Sequence, residues 1–302
     1  MATFGDLQGL VYTQLGGSAS LSAATKTSVR AWINKAQQRI VTRRPWWFLE
    51  REKEVYSIAD EKSGTASTTN LNRAVGGAAT SWNAANGVTS GSLVRFGTDD
   101  AVYEIDSVAS TTRRDLVSTY RGSAAAAATF VAWQQYYDLG SNVRAILNVR
   151  DMDTPEDLNF ISASEFERTD PGYNNTGTPE AYTLKVKASD GNQQIALYPR
   201  PNAVRQIKVR YTTVVADLSS STSTSLIPPR FHHLLVDGAL AEADAFEYEQ
   251  RQRYDAVFES GIDVMLRDEP TVTDRLWRRY RMWGGSEYDP MAGRLPPNYP
   301  RS

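Results

Sequence analysis

The 302-residue sequence is 41% hydrophobic, enough to furnish a sizeable core, and its 33 Lys+Arg against 35 Asp+Glu leave a formal net charge of −2, which excludes a global pull toward nucleic acid or anionic membrane. The absence of cysteine excludes disulfide staples, thiolate metal ligands and cysteine nucleophiles together. With no basic-then-apolar leader and no run of about 18 apolar residues, a soluble protein made in the cytoplasm is expected.

Thr3 and Asp6 have the spacing of a capping box, and Phe4, Leu7, Leu10, Val11 and Leu15 share one helical stripe that Gly16-Gly17 ends. A first helix over 4–15 follows. Val29, Trp32, Ile33, Ala36 and Ile40 predict a second helix, stopped by Pro45, and the cluster Trp46-Trp47-Phe48 is expected to bury its end in the core. From Ser57 to Gly91 small and polar residues dominate, favouring loops and short strands. Ala101, Tyr103 and Ile105 then alternate with Val102, Glu104 and Asp106, and Leu116, Phe130-Val131, Trp133 and Tyr136-Tyr137 mark further strands. The intervening "YRGSAAAAA" is too short and too glycine-flanked for a helix.

Ser164 with Glu167 predicts a short capped helix that Pro171 ends. Tyr182, Leu184 and Val186, a turn at 189–192, Ile195 and Leu197, and then Ile207, Val209 and Tyr211 predict a three-stranded antiparallel meander. After the Ser/Thr-rich stretch 219–225, Pro228-Pro229 open a helix with a buried stripe of Phe231, Leu234, Leu235, Ala239, Ala243 and Phe246, which resumes at Tyr254, Val257, Phe258, Ile262 and Met265. At about ten turns it is expected to reach beyond one small core or to break near Gly261. Another helix is predicted over 273–283, followed by a proline- and glycine-rich tail. The fold class is therefore α+β: a helical bundle of N-terminal helices and a long C-terminal helix, with an inserted small β domain, an antiparallel meander and an extended tail. The expected divisions are 1–54, 55–140, 141–226, 227–284 and 285–302.

Catalytic, metal-binding and cofactor-binding residues are not assigned. His232 and His233 are adjacent, so on a helix they diverge by roughly 100° and cannot chelate one metal. His233 and Asp237, four apart, could touch and offer half of a triad or a ligand pair, the start of a hydrolase site; no HExxH accompanies them, and no phosphate-binding glycine loop occurs. The carboxylates of "MDTPEDL" (152–158) read as a capped turn rather than an acid/base dyad. Local charge is more informative. "RLWRRYRMW" sets Arg275, Arg278, Arg279 and Arg281 among Trp277, Tyr280 and Trp283, which suits a solvated basic face, a protein-docking element or a sequence-independent contact to DNA phosphates. Tyr288, Met291, Leu295 and Tyr299 in the tail favour docking, since a purely solvating segment has no use for them.

The order of these elements, with "VYEIDSVASTT", then "EAYTLKV…IALYPRP…IKVRYTT", then "IPPRFHHLLVDGALAEA", resembles the head-to-tail adaptor (connector) proteins of tailed bacteriophages. The Ala/Ser/Thr-rich 60–90 stretch departs from compact members of that family. The resemblance implies a non-enzymatic virion neck protein, assembled in the host cytoplasm without cofactor. It implies a homo-oligomeric ring, typically of twelve copies, that docks under the portal protein, extends the channel for duplex DNA and offers a platform for the tail or nozzle protein. Portal docking would fall to Arg275, Trp277, Arg278, Arg279, Tyr280, Trp283, Tyr288, Leu295 and Tyr299. Subunit packing would fall to Phe231, Leu234, Gly238, Ala241 and Ala245, where small side chains let helices approach. The alternative is a non-enzymatic, sequence-independent DNA-binding protein using residues 275–283.

Overall fold

A computed structural model describes residues 2–267 except 20, 84, 85, 87, 98, 188, 189 and 244–247. It is α+β. The predicted helix and tail over 273–302 lie outside the described residues. The chain divides into a helical unit, made of residues 1–49 and those from 215 onward, and a second unit of residues 50–214.

The chain opens with α1 (Phe4–Gln14), where the Thr3–Asp6 capping box forms as the spacing predicts, and Gly16 and Gly17 leave the helix at φ 99° and 94°. Helix α2 (Ala23–Arg43) is capped by Ser22, whose hydroxyl accepts from Thr25 N at 3.1 Å, and stops ahead of Pro45. Then come β1 (Glu50–Tyr56), β2 (Thr65–Thr68), β3 (Ala74–Ala78), β4 (Leu93–Phe96), β5 (Val102–Ser110), β6 (Arg113–Leu116), β7 (Ala125–Ala128), β8 (Phe130–Trp133), β9 (Tyr136–Asp138), β10 (Val143–Asp151), β11 (Glu156–Asp157) and β12 (Asn159–Phe160). They lead to α3 (Ala163–Thr169), β13 (Thr176–Gly177), β14 (Ala181–Val186), β15 (Gln193–Tyr198), β16 (Arg200–Pro201) and β17 (Gln206–Thr213). A 3-10 turn at Pro229–Phe231 opens α4 (His232–Ala241), and α5 (Tyr248–Arg267) is the last described helix.

In the second unit, seven strands form one sheet in the order β7-β2-β3-β6-β5-β4-β8. Its two outermost members, β7 and β8, are consecutive stretches of a single segment, and Glu61 bridges to Ala132, so the sheet curls back on itself as a small barrel. Ala66, Val75, Val94, Phe96, Ile105, Leu116 and Phe130 fill it. Within β5 the inward residues are Tyr103 and Ile105, as the alternation predicts. "AAAA" at 125–128, expected only not to be helix, forms a strand.

Two four-stranded sheets, β1-β17-β10-β11 and β12-β14-β15-β9, contribute to one shared core that includes Val55, Tyr137, Val149, Ile195, Leu197, Ile207 and Val209. This corrects the expected meander. The hairpin β14–β15 forms in the anticipated register, with Leu184 opposite Ile195, but β17 leaves it to pair with β1 and β10 in the other sheet. Cis Tyr198-Pro199 stands between β15 and β16. Val186 ends its strand 62% exposed rather than buried. The α3 cap is also shifted: Ser162, not Ser164, accepts from Glu165 N at 3.2 Å.

In the helical unit, the expected long helix is two helices. α4 closes at Glu242, and Gly261 lies inside α5. Phe4, Leu7, Val11, Val29, Ile33, Ile40, Leu234, Leu235, Phe258 and Ile262 share one core, with α4 packed against α1, α2 and α5. Trp46 is fully buried there and donates its indole N–H to Ile40 O at 2.6 Å, the anchoring that the aromatic cluster predicts.

Candidate interaction site

Helix α4 carries most of the residues expected to meet a neighbouring subunit, and its fourfold–threefold spacing turns them toward the chain's own helices. Leu234 is 0% and Phe231 6% exposed. A Cβ on Gly238 would stand 2.7 Å from Ala36 Cβ and 2.8 Å from the Phe258 ring, so the missing side chain is what lets α4 lie against both α2 and α5. Gly261 performs the same service on α5, where a Cβ would fall 2.0 Å from Leu234 Cδ2. Phe231, Leu234 and Gly238 thus pack within the chain's own helical unit. Ala241 is half-buried. Ala245 and the set Arg275, Trp277, Arg278, Arg279, Tyr280, Trp283, Tyr288, Leu295 and Tyr299 lie outside the described residues.

A charged seam along the same helices was missed in the sequence. Arg39 of α2 donates to Asp255 and to Glu259 of α5, each at 2.8 Å, while its guanidinium lies 4.5 Å from the Phe258 ring centroid. Arg43 also donates to Glu259, and Lys35 to Glu242 at 2.6 Å. Burial works against the charged form of Arg39, but the hydrogen bonds and charges of Asp255 and Glu259 outweigh it and raise its pKa. The signal was present: Lys35, Arg39 and Arg43 recur every four residues on α2, and Asp255 and Glu259 do so on α5. Only the pairing of two distant helices was unreadable. On its opposite side α5 is exposed, with Val257 at 47% and Val264 at 54%.

The residues that suggested chemistry hold structure. His232 is buried and donates from Nε2 to Ile227 O at 2.9 Å, fixing the turn that opens α4; exposed His233 donates from Nδ1 to Arg230 O at 3.0 Å. No hydrogen bond joins His233 to Asp237 among the described residues. Burial raises the Asp237 pKa, and the His233 charge opposes that shift. In "MDTPEDL", Asp153 N donates to Asp151 at 2.9 Å, Arg205 donates to the fully buried Asp151 at 2.9 Å, and Asp157 accepts from Asn148. These carboxylates cap the β10–β11 turn and seat it on β17. Among the described residues, no group of three His, Cys, Asp or Glu is placed to hold a metal ion.

Among the described residues these side chains serve architecture, and a family model for the SU10 adaptor protein matches residues 77–282, a stretch that includes α3, α4 and α5. The chain belongs to the SU10 adaptor protein family. That family is one of phage head-to-tail adaptors, so this adaptor is a structural component of a bacteriophage virion, associated with portal and tail proteins. Comparison with curated proteins found none that matches. No helix among the described residues is long and apolar enough to cross a membrane.

Proposed function

We propose that this adaptor assembles as a ring of identical copies, twelve as the family resemblance implies, which docks under the portal, continues the channel for duplex DNA and presents a platform to the tail or nozzle. The family match over 77–282 carries this reading. A near-neutral chain suits it, because a strongly basic lumen would retain the duplex through salt-dependent phosphate contacts. With Phe231, Leu234 and Gly238 occupied inside the helical unit, copy-to-copy contact falls to surfaces left outside it, among them the α5 face bearing Val257 and Val264. Portal docking falls to Arg275, Trp277, Arg278, Arg279, Tyr280, Trp283, Tyr288, Leu295 and Tyr299.

The test is the mass of the purified chain alone and with its portal, by native mass spectrometry or light scattering. A ring-sized species, formed alone or on the portal, is expected, and deletion of 285–302 should weaken portal attachment without unfolding the chain. A monomer that neither self-associates nor joins the portal would exclude the ring. A truncated chain that binds the portal as tightly as the full one would exclude the tail as the clasp.

A further inference from the structure

Helix α5 packs one side into its own unit and turns the other to solvent. Phe258, Ile262 and Met265 are buried, while Ala256, Val257, Ser260, Asp263 and Val264 are exposed, the two valines at 47% and 54%. Val257, Ser260 and Val264 recur at three and four, so they share one narrow strip with a valine at each end and a small hydroxyl side chain between. A single half-exposed valine needs no explanation. Two of them two turns apart on one strip fit a partner that offers apolar side chains at the same interval and a large one in the middle.

The sequence just beyond α5 supplies such a partner. Pro270 bars continuation of the helix, and the next helix is predicted over 273–283, where Leu276, Tyr280 and Trp283 recur at four and three. At a rise of about 1.5 Å per residue, Val264 and Val257 lie about 4.5 and 15 Å from the end of α5 at Arg267. Leu276 and Trp283 lie the same two distances, about 4.5 and 15 Å, from a helix start at Thr273. Ser260 and Tyr280 also match, at about 10.5 Å, the small side chain opposite the large one. Residues 268–272 would make the turn, a connection of ordinary length for antiparallel helices and long enough to cross from one axis to the other. A segment tethered this closely stands at an effective concentration in the millimolar range, far above that of a second copy in dilute solution. The chain's own next helix is therefore the favoured occupant.

We propose that in the unassembled chain 273–283 folds back on α5 as an antiparallel helix, with Leu276 on Val264, Tyr280 on Ser260 and Trp283 on Val257. Arg278 and Arg281 then fall on the far side of that helix, in water. The seat itself is independent of the ring. Its consequence rests on the reading that this segment docks on the portal and that the α5 face meets a neighbouring copy: each surface covers the other until the portal draws the segment away. The contact is thus autoinhibitory, and copy-to-copy association becomes conditional on the portal.

Cysteine pairs test the seat on the full chain, which has no cysteine of its own. Oxidised in dilute solution, Val264→Cys with Leu276→Cys, and separately Val257→Cys with Trp283→Cys, should close within one chain, each pair leaving the other two contacts in place. The mismatched Val257→Cys with Leu276→Cys, about 10 Å apart along the axes, should stay open. Equal closure of all three pairs, closure of none, or closure between chains would each overturn the seat. The Val264–Leu276 pair involves no residue assigned to portal docking, so its oxidised form should bind the portal about tenfold or more weakly than its reduced form. Equal binding of the two forms would overturn the autoinhibition. A chain that closes its matched pairs but fails to join the portal even when reduced keeps the seat and overturns the docking reading instead.

Discussion

Leu71 has a backbone φ of 60° and is 71% exposed at the turn between β2 and β3, held there by its N–H to Tyr120 O at 2.7 Å. A leucine in the left-handed region costs about 1 kcal/mol, and little burial offsets it. Asn tolerates that region without glycine's unfolded-state entropy, so Leu71→Asn is expected to stabilise the chain by about 0.5–1 kcal/mol, read as a higher urea midpoint at unchanged m-value. Asp237 makes a different residue-scale case. Burial raises its pKa against the opposing charge of His233, so its neutral form is the one that the fold favours. Such a carboxyl stabilises fully below its unfolded pKa, about 4, and loses that contribution as pH rises through the folded value. Asp237→Asn stays neutral throughout. It should unfold like the wild type near pH 3 and be the more stable of the two near pH 7; a variant less stable near neutrality would mean that the charged form makes contacts worth more than its desolvation.

Two helical glycines separate packing from propensity. Gly9 on α1 has nothing within 4 Å of a built Cβ, whereas on Gly238 that atom would meet Ala36 Cβ at 2.7 Å. Gly9→Ala should therefore gain about 0.5–1 kcal/mol of helix propensity. Gly238→Ala should lose about 1–3 kcal/mol despite the same gain, because Ala36 Cβ is fixed to its backbone and α2 must move. Opposite shifts in thermal midpoint are the expected result, and a stable Gly238→Ala would mean that α4 does not lie tightly on α2. The same distinction explains what could be read in advance. Caps, stripes and turn residues act within a few positions, so α1, α2, the Trp46 anchor and the β14–β15 hairpin were legible. Strand partners are chosen across the chain: nothing local in "EREKEVY" announces that β1 will flank β17, or that β17 will abandon the hairpin before it. The small residues of α4 were recognised as a contact surface, but spacing cannot say whose helix fills it. At Gly238 it is the chain's own Ala36 and Phe258.

At the scale of the whole molecule, residues 50–214 interrupt the helical unit, and the way they leave and rejoin it makes them separable. The incoming strand β1 and the outgoing β17 are antiparallel neighbours, with Glu50 opposite Thr212, so the chain enters and leaves the unit on adjacent strands. Each unit has its own apolar core: Val149, Ile195 and Val209 between the sheets and Phe96 and Ile105 in the barrel on one side, Ile33, Leu234 and Phe258 on the other. A chain of 50–214 alone should then fold with cooperative unfolding and a strand-dominated circular dichroism spectrum. The complementary chain, with Leu49 joined to Val215 by a short Gly/Ser linker, should keep its helical spectrum, since the linker spans only the gap that β1 and β17 spanned before. Should 50–214 emerge unfolded while the linked helices fold, the β unit would depend on the helical one for its stability. Should the linked helices fail instead, the strands at the crossing would be needed to hold α2 and α4 in register.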